Sequence, residues 1–146
     1  MRTSCRFAMA VHVLAVLAYK QGDRVTSSYL AASVNTNPVI VRRLLLTLQK
    51  AKLVETRKGA GSGSRLERSP ARITLAEVYN AVEEEDAFTM PSREPNQGCP
   101  VGQCIQDELD LVFTAAESAM IDQLGRTTVA DIVNSVRSKC NKQDAA

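Results

Sequence analysis

From Pro100 onward the residues Ile105, Leu109, Val112, Phe113, Ala116, Met120 and Leu124 recur at steps of three and four until Gly125, the spacing that lines one side of an α-helix. A helix of about 24 residues extends roughly 36 Å. A small domain cannot cover a stripe of that length, so the segment calls for a partner helix. The 146 residues suffice for one compact domain plus such an arm. With 45% hydrophobic and 23% charged residues, the chain is neither disordered nor collagen-like.

The preceding half reads as short helices followed by a hairpin. Ser4 to Lys20 lacks Gly and Pro and is apolar on most sides, Phe7, Val11, Leu14 and Ala18 forming one stripe and Met9, Val13 and Leu17 another. Such a helix is buried on most sides, and Gly22 can end it with a left-handed cap. Thr26 and Ser27 offer N-caps for a helix over Ser28 to Val34, with Tyr29, Leu30 and Val34 apolar. Asn37-Pro38 starts a third helix running to about Lys52. At 100° per residue, Ile40, Val41, Leu44, Leu45 and Leu48 form its core stripe, whereas Val39, Arg42, Arg43, Leu46, Gln49 and Lys50 face outward. Leu53 to Lys58 and Ser64 to Arg68 are candidate strands around Gly59-Ala60-Gly61-Ser62-Gly63. Thr74 and Glu77 spell a capping box before a fourth helix, and residues 87 to 98 read as a loop. Thr128 and Asp131 cap a short last helix carrying Val129, Ile132, Val133 and Val136, followed by a polar, frayed tail. No internal repeat is visible.

Three helices followed by a basic hairpin is the order of a winged helix-turn-helix. The expected fold is mainly α with a small β-hairpin wing and a long dimerisation helix. Residues 1–72 form the DNA-binding domain, 73–98 a connecting helix and sensor loop, 99–140 the dimerisation and C-terminal helices, and 141–146 a tail.

Charge distribution supports that order. Residues 36–72 hold nine basic and two acidic side chains, while 73–146 hold five basic and thirteen acidic, in a chain of net charge +2. A local basic patch attracts phosphate whatever the total. Asn37, Val39, Arg42 and Arg43 are expected nearest base edges, and Lys50, Arg57, Lys58, Arg65 and Arg68 on phosphates. Gly59 and Gly61 leave no side chain to keep the hairpin tip off the duplex. The glycines do not spell G-x-G-x-x-G and no GK[ST] occurs, which argues against a nucleotide-binding loop. An ordinary solvated basic face with a flexible Gly-Ser linker is the bland alternative.

Arg6-Phe7-Ala8-Met9-Ala10-Val11-His12, Asn35-Thr36-Asn37-Pro38-Val39-Ile40-Val41-Arg42-Arg43, Lys58-Gly59-Ala60-Gly61-Ser62-Gly63, Ile73-Thr74-Leu75-Ala76-Glu77-Val78-Tyr79 and Cys99-Pro100-Val101-Gly102 together resemble the Rrf2 family of bacterial transcription regulators. The similarity covers nearly the whole chain and is greatest to the YwnA-like branch. It implies a homodimer with paired long helices, a winged helix-turn-helix at each end, a pseudo-palindromic double-stranded operator and, in most members, repression. Cluster-binding members typically hold three cysteines where this chain has only Cys99 and Cys104. An iron–sulfur cluster is therefore disfavoured, even with Cys5 or His12 of a partner as further ligands, and no cofactor is expected.

Cys99 stands just before Pro100 at a helix start, where free N–H groups and the positive dipole end favour a thiolate. That makes it a candidate redox sensor. Cys104 is not its obvious disulfide partner, since five helical residues separate Cα atoms by roughly 8 Å. The alternative is that both serve as small hydrophobes. A thiol-dependent redox enzyme ranks low, because neither C-x-x-C nor an evident general base accompanies Cys99; a non-DNA interaction module ranks third. His12 is expected to be a hydrogen-bonded core residue rather than a ligand. The four scattered cysteines, Cys5, Cys99, Cys104 and Cys140, suit a reducing compartment, hence the cytoplasm. Basic Met1 to Arg6 before apolar Phe7 to Ala18 resembles a secretory signal, but the run contains His12, lacks a clean cleavage site and is too short to span a bilayer.

Overall fold

The computed structural model describes residues 5–144. The elements follow the order α1 (Arg6–Tyr19), α2 (Ser27–Val34), α3 (Pro38–Lys50), β1 (Val54–Arg57), β2 (Gly63–Leu66), α4 (Leu75–Val82), α5 (Pro100–Leu124) and α6 (Val129–Asp144), with a 3₁₀ turn at Pro70–Arg72. The expected helix start at Ser4 lies outside the described residues, as does Arg2 ahead of it.

Local chemistry sets most boundaries. Thr26 Oγ1 accepts from Tyr29 N at 3.2 Å and Asn37 Oδ1 from Val39 N at 2.9 Å, satisfying donors that the first turns of α2 and α3 leave free. Pro38 opens α3, where its missing N–H costs nothing. At the end of α1 the left-handed position falls on Gln21 (φ +52°) as well as Gly22 (φ +92°).

Ala10, Val13, Leu14 and Leu17 of α1 run through the middle of one core, which also takes Leu30, Val41, Leu44, Leu45, Leu48, Leu53, Val54, Ile73 and Val78. Ile40, expected in that stripe, is 42% exposed. It sits at the edge of the apolar arc in the first turn of α3, beyond its buried neighbours.

The hairpin is antiparallel, pairing Val54 with Leu66 and Arg57 with Gly63. It gains a third partner. Val25, between α1 and α2, exchanges both backbone hydrogen bonds with Ser64, N to O at 2.9 Å and 2.8 Å. Gly63 is needed there: its φ is +130°, and a Cβ would lie 2.9 Å from the Val25 carbonyl oxygen.

Two features differ from the sequence expectation. Helix α6 runs to Asp144 rather than ending in a tail from 141. It also belongs to the N-terminal core, through Val129 and Val133, instead of grouping with the long helix. Its start is fixed by both arms of a capping box, Asp131 N to Thr128 Oγ1 at 3.1 Å and Thr128 N to Asp131 Oδ2 at 2.9 Å. Val129 N donates to Ile73 O and Leu75 N to Thr127 O, stitching α6 to the start of α4.

Helix α5 stands apart, packed chiefly on α4 and without a buried residue. Its expected stripe is divided. Ile105, Leu109, Phe113, Met120 and Leu124 are half-buried toward the chain's own body, Phe113 stacking on Phe88 at 4.8 Å between centroids. Val112 and Ala116 are exposed, and Val101 and Leu111 add to the open apolar surface. The stripe is too wide for one neighbour, so one edge packs at home and the other stays bare. No helix among the described residues is long and apolar enough to cross a membrane.

Candidate nucleic-acid interface

The outer face of α3 and the wing enclose an open groove of about 460 Å³, lined by Arg42, Leu45, Leu46 and Gln49 of α3 and by Thr56, Arg57, Lys58, Gly59, Ser62, Gly63 and Ser64 of the hairpin. Thr26 and Ser27 at the start of α2 complete the wall. Arg42, Arg57, Lys58 and Gly59 are thus brought together as expected from the sequence. Asn37, Val39, Arg43 and Lys50 lie along the same helix and are exposed outside the groove lining, as is Gly61 at the wing tip. Thr26, Ser27, Thr56 and Ser62 were not singled out as site residues. Hydroxyls at the start of α2, the helix that crosses the backbone in such folds, are the signal that points to the first two.

The cations divide by what holds them. Arg42, Arg43, Lys50, Arg57 and Lys58 make no ion pair among the described residues, so their charge is available to an external anion. Arg65 lies 3.3 Å from Glu55, and Arg68 hydrogen-bonds Glu77, both at the surface. Glu77 therefore spends its carboxylate on Arg68, while Thr74 Oγ1 still accepts from Glu77 N. The expectation that Arg65 and Arg68 face phosphate must accommodate carboxylates already beside them.

Glu55 anchors the wing. Arg24 donates to its Oε1 at 2.6 Å and to the Gly63 carbonyl at 3.3 Å. The Arg24 hydrogen bond, with further help from Arg65 and against a raising effect of burial, holds the Glu55 carboxyl below its ordinary value of 4.5. A depressed carboxyl stabilises the fold above its ordinary range and loses that contribution as pH falls through the depressed value. Protection of the Val25 and Ser64 amides from hydrogen exchange, corrected for intrinsic rates, should therefore weaken below pH 4.5 and hold at pH 6. In Glu55→Gln this acid-dependent step should disappear; an unchanged step would assign it to another group.

Cys99 is the half-buried N-cap of α5, with no side-chain capping bond, and Cys104 is exposed further along the same helix. Their common helix keeps them from meeting without unwinding. Cys5 and Cys140 are exposed on α1's start and on α6. His12 is exposed, not core, and hydrogen-bonds Ser33 Oγ at 2.9 Å. Among the described residues no three His, Cys, Asp or Glu side chains are grouped to hold a metal ion.

Comparison with known proteins agrees with this geometry. Residues 3–135 match the model of the Rrf2 family, described as an iron-dependent transcriptional regulator. The chain is 38% identical over 129 residues to Bacillus subtilis YwnA, named as an HTH-type transcriptional regulator, covering 88% of this chain and 95% of that one. It is 26% identical over 139 residues to the HTH-type transcriptional regulator IscR of Cereibacter sphaeroides, covering 94% and 89%. In fold, a solved Lactobacillus plantarum structure aligns with a TM-score of 0.76 at 24% identity, covering 97% and 99%. With a winged helix whose unpaired cations border an open groove, and with family similarity across nearly its full length, the chain belongs to the Rrf2 family and is a DNA-binding transcriptional regulator rather than an enzyme.

Proposed function

We propose that the protein acts as a homodimeric repressor, two copies pairing along the exposed edge of α5 so that their α3 helices enter successive major grooves of a pseudo-palindromic operator. The observation that carries this reading is a set of five exposed cations that make no ion pair among the described residues: Arg42, Arg57 and Lys58 line one groove, and Arg43 and Lys50 stand on α3 outside its lining. Arg42 and Arg43 address base edges with Asn37 and Val39 beside them, the fork of a guanidinium matching guanine O6 and N7. Lys50, Arg57 and Lys58 address phosphates, the glycines at 59 and 61 letting the wing backbone approach. Arg65 and Arg68 join them only by sharing their carboxylates. Bare apolar surface at Val101, Leu111 and Val112 on an arm without buried residues supports the pairing.

Cys99 is the residue through which such a repressor would respond to oxidants. Peroxide converts its thiol to a sulfenic acid with release of water, placing a larger polar group at the half-buried N-cap of α5. Cys104, exposed on the same helix, is the second reactive thiol.

Gel-shift titrations over a range of salt test both parts. Each phosphate neutralised contributes about −0.9 to the slope of log K against log salt. Three phosphate contacts per protomer give a dimer a slope near −5, and Lys58→Ala should reduce it by about 1 per protomer. A slope shallower than about −2 contradicts the reading. Peroxide should weaken binding in the parent protein and not in Cys99→Ser; equal loss in both removes Cys99 from the response.

A further inference from the structure

A second concavity lies behind the recognition helix, where α1, α2 and α6 meet. It measures about 320 Å³ and is lined by His12, Ala15, Val16, Tyr19 and Lys20 of α1, Tyr29 and Ser33 of α2, and Val133, Val136 and Cys140 of α6. Three of the large hydrophobic side chains that the chain leaves exposed, Tyr19, Tyr29 and Val136, belong to this one wall. Concave, mainly apolar sites of a few hundred cubic ångströms with a few convergent polar groups are the usual form of small-molecule pockets.

Lys20 supplies a positive charge at its rim. Lys20 Nζ lies 4.7 Å from the centre of the Tyr29 ring, and His12 and Ser33 hydrogen-bond each other. No carboxylate is among the described lining residues. Tyr19 is itself held by Arg137, whose guanidinium lies 4.7 Å over its ring and donates to its carbonyl oxygen at 3.0 Å. Arg137 Nε is buried there without a hydrogen-bond partner among the described residues. Two tyrosine faces suit a flat ring, while an ammonium and a hydroxyl suit a carboxylate.

We propose that this pocket binds a small aromatic carboxylate that regulates DNA binding. The ring lies between Tyr19, Tyr29 and the valines of α6, and the carboxylate takes a hydrogen bond from Lys20 beside Tyr29. The regulatory part rests on the repressor reading above. Occupancy ties α6 to α2, and α2 leads directly into α3, so a bound ring shifts the helix that precedes the recognition helix.

The chain contains three tyrosines and no tryptophan; the third tyrosine, Tyr79, packs edge-on against Phe7 and does not line the pocket. Ring-labelled tyrosine NMR therefore reads the site with an internal control and without DNA. Titration with 3-phenylpropionate should move the Tyr19 and Tyr29 signals and leave Tyr79 in place. The neutral 3-phenylpropionamide should bind about tenfold more weakly, as should 3-phenylpropionate to Lys20→Gln. No shift, shifts spread equally over the three rings, or equal affinity for acid and amide overturns the pocket. Sedimentation of Tyr29→Asp covers the competing occupant, since conversion of a dimer to monomer would assign this wall to a second copy of the chain. If the ring signals move as expected but 3-phenylpropionate leaves DNA affinity unchanged, the pocket stands and its regulatory role is overturned.

Discussion

Replacing Arg42 and Arg43 together with alanine should lower affinity for a selected operator by at least about a hundredfold while leaving the melting temperature close to that of the parent. A good base-edge contact is worth about 1–3 kcal/mol, and a dimer loses each contact twice. Both side chains are exposed and make no ion pair among the described residues, so little folding energy depends on them. Arg68→Ala is the matched control. Its guanidinium already faces Glu77, so its loss should change affinity by less than about threefold, the modest scale of an exposed ion pair. Equal effects from Arg68 and from the Arg42–Arg43 pair would mean that total charge, not the groove, determines binding.

The second large effect concerns α5. Val112 is 61% exposed in the isolated chain, so Val112→Asp should fold normally yet place a carboxylate inside the proposed seam, facing its own copy. Desolvating two like charges is unfavourable enough to separate the subunits. Sedimentation should report monomers, and operator affinity should fall by about 10² to 10⁴, the contribution of linking two half-site contacts. Phe113→Asp should behave differently, since Phe113 stacks on Phe88 within the chain; its main effect should be on stability. A Val112→Asp protein that remains dimeric would move the seam elsewhere.

Short-range chemistry was the legible part of this fold. Asn37, Thr26 and Thr128 cap helices where their sequence neighbours say they should, because a cap is decided within four residues. Pairings distant in sequence were not. Nothing around Val25 announces that it will bond Ser64, since a single bridging residue has no periodicity to detect. The polar last turn of α6, from 141, reads as a tail because it has no apolar position, and Val129 and Val133 give no clue that they enter the core of the first domain.

The site shows the same division. Alternation around α3 revealed Arg42 and Arg43 on the outer face, and the glycines marked the wing. Which cations remain unpaired depended on where Glu55 and Glu77 arrive in space, and the sequence separates Arg24 from Glu55 by 31 residues. Likewise, the spacing of α5 located its apolar stripe but not the line along which Phe88 and α4 cover only part of it.

Selection of bound duplexes from a random-sequence pool, using the purified full chain, shows whether the groove between α3 and the wing reads DNA sequence. The expected result is enrichment of an inverted repeat whose half-sites lie one helical turn, about 10–10.5 base pairs, or a multiple of it apart, with protection of guanine N7 in the major groove and no enrichment by the Arg42→Ala, Arg43→Ala protein. Recovery of no preferred sequence, or of the same repeat by that double variant, would contradict it.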